Sequence, residues 1–184
     1  MTMRMIIGQP APPFGVTDVH GHPVRLADFA GKHLLLAFVR YAGCPFCGLR
    51  MYYLAARYEQ LHSQGLSIVV VTESNLAIIR TQKMLWEAPF AVVADPQHHL
   101  FQAYGVHGSL WGLLSGEVRR FRERVTARRQ GLDGPLNGNL LRMPAEFLID
   151  PAGTVQVAHY GKDLGDFLPF TKMEQWLKQA PRPA

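Results

Sequence analysis

An α/β domain, with a mostly parallel central sheet closed by a hairpin and a final helix, is the fold that this sequence predicts. Two observations carry that expectation. The runs HLLLAFV (33–39) and LSIVVV (66–71) are apolar throughout rather than alternating, which suits strands covered on both faces. Stretches with helical spacing separate the strands, and strand–helix–strand order sets neighbouring strands parallel.

The elements follow along the chain. Residues 14–26 (FGVTDVHGHPVRL) read as two short strands around a polar turn at 18–22. After the strand 33–39 come Arg40, Tyr41, Ala42 and Gly43, then Cys44-Pro45-Phe46-Cys47. A helix is expected from there to about His62, with Leu49, Tyr52, Tyr53 and Ala56 at helical spacing. Gly65 takes the position past its end that glycine favours. Beyond the second buried strand a helix is expected over 75–87, then a strand at 90–94. Asp95-Pro96 should open another helix, with proline in its first turn. Residues 109–139 interrupt the alternation with an arginine-rich helix and the loop GLDGPLNGN. Strands at 146–149 and 154–159 flank a turn, and an amphipathic helix at 169–179 groups Phe170, Met173, Trp176 and Leu177.

Size and composition fit one domain spanning 1–184. Of the 184 residues 48% are apolar and 18% charged, which excludes a disordered chain. A chain of this length buries about 70% of its unfolded surface and needs no staple. The longest strictly apolar run, 34–39, falls far short of the roughly 20 residues of a membrane span. The start, MTMRMIIGQPAPPF, lacks the ~7–15-residue apolar core of a secretory leader. A cytoplasmic location without membrane attachment is expected.

Net charge is +5, and the segment 117–129 holds six arginines against two glutamates. Such a segment could attract nucleic acid, an anionic membrane or an acidic partner. It has one aromatic, Phe121, to stack on a base, and its plainer reading is a solvated helix face. No nucleic-acid partner is expected.

Both cysteines of the chain, Cys44 and Cys47, stand in one C-x-x-C. A disulfide scaffold would spread more of them along the sequence. Zinc would need four ligands, and the eight histidines show no ligand spacing, so no metal is expected. Two inert core thiols are the bland alternative. The pair instead sits where chemistry gathers in an α/β sheet, at the carboxyl end of a buried strand and the start of a helix. Unpaired N–H groups and the helix dipole lower a thiol pKa there. With Pro45 at the first helical position, Cys44 should be the more acidic and more exposed thiol. Arg40, four residues upstream, could stabilise its thiolate. Cys47, one turn on, can attack a mixed disulfide on Cys44 and close a Cys44–Cys47 disulfide. A second element is Met143-Pro144, just before the strand AEFLI. A cis bond there would set Met143's backbone and Pro144 beside the thiols.

These motifs resemble the thioredoxin-fold peroxiredoxins, the alkyl hydroperoxide reductase/thiol-specific antioxidant group, and especially their divergent peroxiredoxin-like branch. Residues 8–40 match the family's opening, GCPFC its active-site position, VVADPQHHLFQAYGV its Asp-Pro…Tyr-Gly-Val segment and AEFLIDPAGTVQVAHYG its closing hairpin. The resemblance covers most of 8–179 and makes 109–139 an insertion. It implies a thioredoxin-like fold: a central mixed sheet flanked by helices, with a peroxiredoxin-type N-terminal hairpin. The chain departs from the family's Pro-x-x-x-Thr-x-x-Cys. Taking Cys44 as that cysteine puts Ala37 and Tyr41 at the Pro and Thr positions; taking Cys47 puts Arg40 and Cys44 there. Pro144 falls about where the family has an arginine, with Arg142 two residues earlier. A peroxiredoxin body thus carries a thioredoxin-like site.

The resemblance implies a cofactor-free thiol oxidoreductase that cycles between dithiol and disulfide and reduces hydroperoxides. An external thiol of thioredoxin or glutathione type would recycle it, and self-association into a homodimer is common in the family. Exchange with protein disulfides is the second enzymatic reading. A redox-insensitive module that binds through the 117–129 helix is the third.

Overall fold

A computed structural model describes residues 4–180. The first three residues of the N-terminal stretch weighed as a leader lie outside the described residues.

A hairpin of β1 (Gly15–Thr17) and β2 (Pro23–Arg25) opens the fold. The Asp18 carboxylate accepts the N–H groups of His20 and His22 in its turn. The central sheet then takes β3 (His33–Val39), β4 (Leu66–Thr72), β5 (Ala91–Ala94), β6 (Ala145–Ile149) and β7 (Val155–Tyr160). Their spatial order is β5-β4-β3-β6-β7. The pairs β3/β4 and β4/β5 are parallel, while β3/β6 and β6/β7 are antiparallel. The sheet is therefore mixed, as the family resemblance implies, rather than mostly parallel. Its closing hairpin adds to the free edge of β3 and leaves β3 central.

Being central explains why β3 is apolar at nearly every position. Leu35, Ala37 and Val39 face one core layer, together with Ile68, Val70, Val92 and Leu148. Leu34, Leu36 and Phe38 face the other, with Val69, Val71, Val93 and Phe147. The first layer is covered by α1 (Pro45–Ala56), α2 (Tyr58–Ser63) and the C-terminal helix; the second by the segment around Phe101 and Tyr104.

Several helices differ from expectation in extent. The stretch after the cysteines breaks at Arg57 into α1 and α2. The buried face of α1 includes Phe46, Cys47, Leu49, Arg50, Met51 and Leu54; Tyr52 and Tyr53 are exposed and pack edge to face on each other. The helix expected over 75–87 is two single turns, α3 (Leu76–Ile79) and α4 (Lys83–Trp86). Thr81 gives both its N–H and its hydroxyl to the Ile78 carbonyl, which closes α3 after one turn. Pro96 lies in a turn, and α5 (His99–Ala103) starts later. The Asp95 carboxylate accepts N–H groups of His99, Leu100 and Phe101, so Asp95 caps the helix across the turn.

The arginine-rich segment forms α6 (Leu110–Arg119) and α7 (Phe121–Arg129). It is not simply a solvated face. Arg119 and Arg120 both reach Asp163, and Arg128 reaches Asp133. The final helix, α8 (Phe170–Gln179), turns Phe170, Met173, Trp176 and Leu177 into the first core layer, as expected. Among the described residues no helix is long and apolar enough to cross a membrane.

One buried ion pair fixes α1 on the sheet. Glu146, on β6, is fully buried and accepts Arg50 Nε at 2.7 Å and Nη2 at 2.8 Å. It also accepts the Leu168 N–H, while Arg50 Nη2 donates to the Leu168 carbonyl. The rings of Phe167 and Phe170 cover the guanidinium. Removing one partner of such a pair strands the other charge. Glu146→Ala should lower unfolding free energy by about 3–5 kcal/mol in a urea titration. Arg50→Met combined with Glu146→Leu should restore most of that loss; a double variant as unstable as the single one would disprove the account.

Candidate active site

The site is built where β3 ends. Arg40 leaves the strand, the Tyr41 carbonyl accepts the Cys44 N–H at 3.0 Å, and Cys44 becomes the N-cap of α1 with Pro45 behind it. The Cys44 carbonyl accepts the Gly48 N–H, which puts Cys47 on the first turn. The two cysteines are free thiols 3.0 Å apart.

Arg40 holds both sulfurs. Its backbone N–H donates to Cys47 Sγ and its Nη1 to Cys44 Sγ, each at 3.3 Å. Burial pushes the Cys44 thiol up. The hydrogen bond from the Cys47 thiol, the Arg40 guanidinium and the N–H groups of Cys47 and Phe46 outweigh it and bring Cys44 down to about 6. Burial and the neighbouring Cys44 sulfur push Cys47 well up. These opposite shifts favour a thiolate on Cys44 beside a protonated Cys47. Cys44 is thus the more acidic thiol, as expected, but not an exposed one. It is 0% exposed, and Cys47 is 2% exposed.

The inserted segment causes that burial. Its loop, residues 131–139, lies directly on the C-x-x-C turn, and the Gly134 N–H donates to the Gly43 carbonyl. A Cβ on Gly43 would come within 2.2 Å of the Pro135 carbonyl oxygen, and one on Gly48 within 2.2 Å of that of Leu132. Both glycines are required by this close approach. Arg40 is tied to the same roof, for its Nη2 donates to the Leu140 carbonyl at 2.6 Å. The Tyr41 ring lies 5.1 Å from the guanidinium.

The residues at the end of β4 and just after it fasten the roof, and sequence reasoning missed them. Thr72 Oγ1 donates to the Arg40 carbonyl. Ser74 Oγ accepts the Ala42 N–H and donates to Asn137 Oδ1. The buried Glu73 carboxylate accepts the Asn139 N–H at 2.7 Å and Arg142 Nε at 3.2 Å, with His98 Nε2 at 3.4 Å. Arg142 therefore anchors Glu73 and does not contact either sulfur in the hydrogen bonds it makes. The signal was available: Thr-Glu-Ser ends a buried strand at the carboxyl edge of the sheet, beside the strand that delivers the cysteines.

The cis-proline expectation is overturned. No peptide bond among the described residues is cis, so Met143-Pro144 is trans. The Met143 N–H donates to the His107 carbonyl and the Pro144 carbonyl accepts the Gly161 N–H. The dipeptide is thus held as an extended lead-in to β6, and its donor is already used. Of the two, the Met143 side chain joins the core layer that contains the cysteines.

A cavity of about 140 Å³ opens beside the pair. Cys47, Met51, Met84, Leu85 and Leu132 form its apolar wall, and Cys44 takes no part in it. Among the described residues, no group of three or more His, Cys, Asp or Glu side chains is placed to hold a metal.

The AhpC/TSA family model matches residues 7–158. The chain belongs to that family. Among its relatives, the thiol-disulfide oxidoreductase ResA of Bacillus subtilis (strain 168) is 34% identical over 101 residues, 54% of this chain and 55% of ResA. The chloroplastic peroxiredoxin Q of Sedum lineare is 28% identical over 113 residues, 59% of each chain. The chain spans less than two thirds of the length of these curated relatives. Both relatives are named for thiol-redox chemistry. Solved structures confirm a thioredoxin-like fold. The thiol peroxidase from Chromobacterium violaceum superposes with a TM-score of 0.66 at 19% identity, over 97% of this chain and 90% of that one. A thioredoxin domain of a thiol-disulfide oxidoreductase from Bacteroides vulgatus gives 0.61 at 20% identity, over 94% and 99%.

The thiolate is a measurable quantity. Cys44 is held below its ordinary value, so its thiolate is present above the lowered pKa and is lost as pH falls through it. Far-ultraviolet thiolate absorbance of the reduced family member should show one step near pH 6, absent in Cys44→Ser. Arg40→Met should move that step about 1–3 pH units higher; a step left in place would mean that Arg40 is not the counter-ion.

Proposed function

We propose that this chain is a thiol-dependent peroxidase of the peroxiredoxin-like type, with Cys44 as nucleophile and Cys47 as resolving thiol. What carries the reading is an ionised Cys44 enclosed away from bulk water, with its partner Cys47 in the wall of a small cavity. An oxidant reaches Cys44 only past Cys47, so it must be smaller than a thiol that stops at Cys47. Cys44 attacks the distal oxygen of a hydroperoxide, the O–O bond breaks, and the departing alkoxide or hydroxide takes a proton and leaves as alcohol or water. Cys44 is then a sulfenic acid. The Cys47 sulfur attacks it, water leaves, and a Cys44–Cys47 disulfide forms. Two equivalents of an external thiol return the pair to the dithiol and are themselves oxidised to a disulfide. The site lacks the Pro and Thr with which the family motif shapes its peroxide pocket, and Arg40 stands beside the sulfur as a fixed donor and counter-charge.

Thiol–disulfide exchange is the second reading, favoured by the C-x-x-C spacing and by the ResA relatives. There Cys44 would attack a partner disulfide, and Cys47 would release the partner. The roof of residues 131–139 would have to open first.

Kinetics of peroxide consumption separate the two. Cys44→Ser should lose at least ~100-fold in rate, on the scale of removing a covalent nucleophile. Cys47→Ser should consume one equivalent of peroxide and stall as a sulfenic acid. Oxidised wild type should have lost two thiols and still run as a monomer on non-reducing gels. Reduction of insulin disulfides without peroxide consumption would replace this function with the second reading, and survival of peroxide consumption in Cys44→Ser would reverse the cysteine roles.

A further inference from the structure

The return half of the cycle has its own geometry. A disulfide can be opened at either sulfur, and the outcome is set by access and by which sulfur leaves as the better thiolate. Here both criteria select the same atom. Cys47 forms part of the wall of the 140 Å³ cavity, whereas Cys44 does not line it and is enclosed by Arg40 and the roof loop. Closing the disulfide from 3.0 Å needs less than about 1 Å of sulfur movement, so Cys47 keeps its place in that wall.

We propose that a low-molecular-weight thiol, entering this cavity, re-reduces the Cys44–Cys47 disulfide by attacking the Cys47 sulfur. This rests on the disulfide cycle proposed above, though not on peroxide being the oxidant. The external thiolate forms a bond to Cys47 Sγ while the Cys44–Cys47 bond breaks, and Cys44 departs with the electron pair. Arg40 Nη1 and the N-terminus of α1 stand ready to receive that negative charge. A second external thiolate then attacks the mixed disulfide. The external disulfide leaves, and Cys47 takes a proton from water. Attack at Cys44 would instead expel Cys47, whose surroundings favour its protonated form.

The cavity also sets the class of reductant. An apolar cavity of about 150 Å³ takes a benzene-sized molecule. The space beside Cys47 therefore admits a thiol of a few heavy atoms, or the thiol-bearing end of a somewhat larger one. A cysteine on a folded protein brings its own backbone and does not fit. Gln82, Lys83 and Gln130 line the same cavity with polar groups, while the Lys83 ammonium pairs with Glu87 at 3.6 Å.

Trapping the first intermediate tests the assignment. The disulfide is made with diamide, so a failure of the peroxide reading leaves the experiment intact. Oxidised wild type is mixed with 2-mercaptoethanol, quenched in acid within milliseconds and alkylated, and peptide mass spectrometry locates the adduct. The mercaptoethanol adduct should lie on Cys47, at least tenfold over Cys44, with the alkylating group on Cys44. An adduct mainly on Cys44, or an even split, overturns the proposal. Filling the cavity with Met84→Trp should slow reduction by 2-mercaptoethanol at least tenfold; an unchanged rate in a folded variant also overturns it. A pair that diamide cannot close would remove the disulfide cycle as well, and is recognised by two thiols still titrating.

Discussion

A thiolate taken out of water needs a compensating charge at contact distance, and the arrangement around Cys44 is organised by how Arg40 meets that need. At an effective dielectric constant of about 20, opposite unit charges 3.3 Å apart attract by about 5 kcal/mol. That is the scale required to hold an ionised sulfur in a fully buried position. Arg40 is itself buried, so its other donors need partners, and the Leu140 carbonyl supplies one. Arg40 Nε is left without one. The cation thus joins the thiol pair to the inserted segment, and neither can shift without disturbing the other.

The roof follows from that linkage. Leu140 presents its carbonyl to Arg40 only because its neighbours are tied down: Asn139 to Glu73, and Asn137 to Ser74. Glu73 in turn binds Arg142, which leads into β6. A short polar run at the end of β4 therefore decides where a loop some 60 residues later comes to rest. On the opposite side, the Arg50–Glu146 pair sets the helix that carries Cys47. The thiols are clamped between a pinned helix and a pinned loop, with the cavity of about 140 Å³ beside Cys47.

Much of this is legible from residue pattern alone. Continuous apolar runs reveal β3 and β4 because burial on both faces leaves no polar position to blur the signal. The acidity of Cys44 follows from its place at a helix start, with Pro45 after it and Arg40 before it. Its burial does not, because nothing local to 131–139 says what that loop rests on; Gly43 and Gly48 are needed for contacts more than 80 residues away. Helix ends escape the pattern where side chains intervene, as when Thr81 closes α3 and Asp95 delays α5 past Pro96. The trans Met143-Pro144 bond is a longer-range effect, since His107 and Gly161 take up the backbone groups on either side of it. Glu146 in the apolar strand AEFLI is a visible anomaly. A carboxylate at a core position calls for a buried cation, and Arg50 on the cysteine helix is the residue that pairs with it.

The departure from the family motif then has a physical reading. A peroxidatic thiolate needs a lowered pKa, a directed donor and shelter from water, and no particular residue type is prescribed for any of these. Here the helix N-terminus and Arg40 lower the pKa, the Arg40 guanidinium is the donor, and the inserted loop is the shelter. Placing the second thiol 3.0 Å from the first adds an asymmetry that a lone cysteine lacks. Whichever charge Arg40 stabilises on one sulfur, it withholds from the other, because two thiolates at that distance repel. In the cycle proposed above, the cation that makes Cys44 the better nucleophile in the forward direction also makes it the better leaving group in reverse, so one electrostatic arrangement would serve both halves.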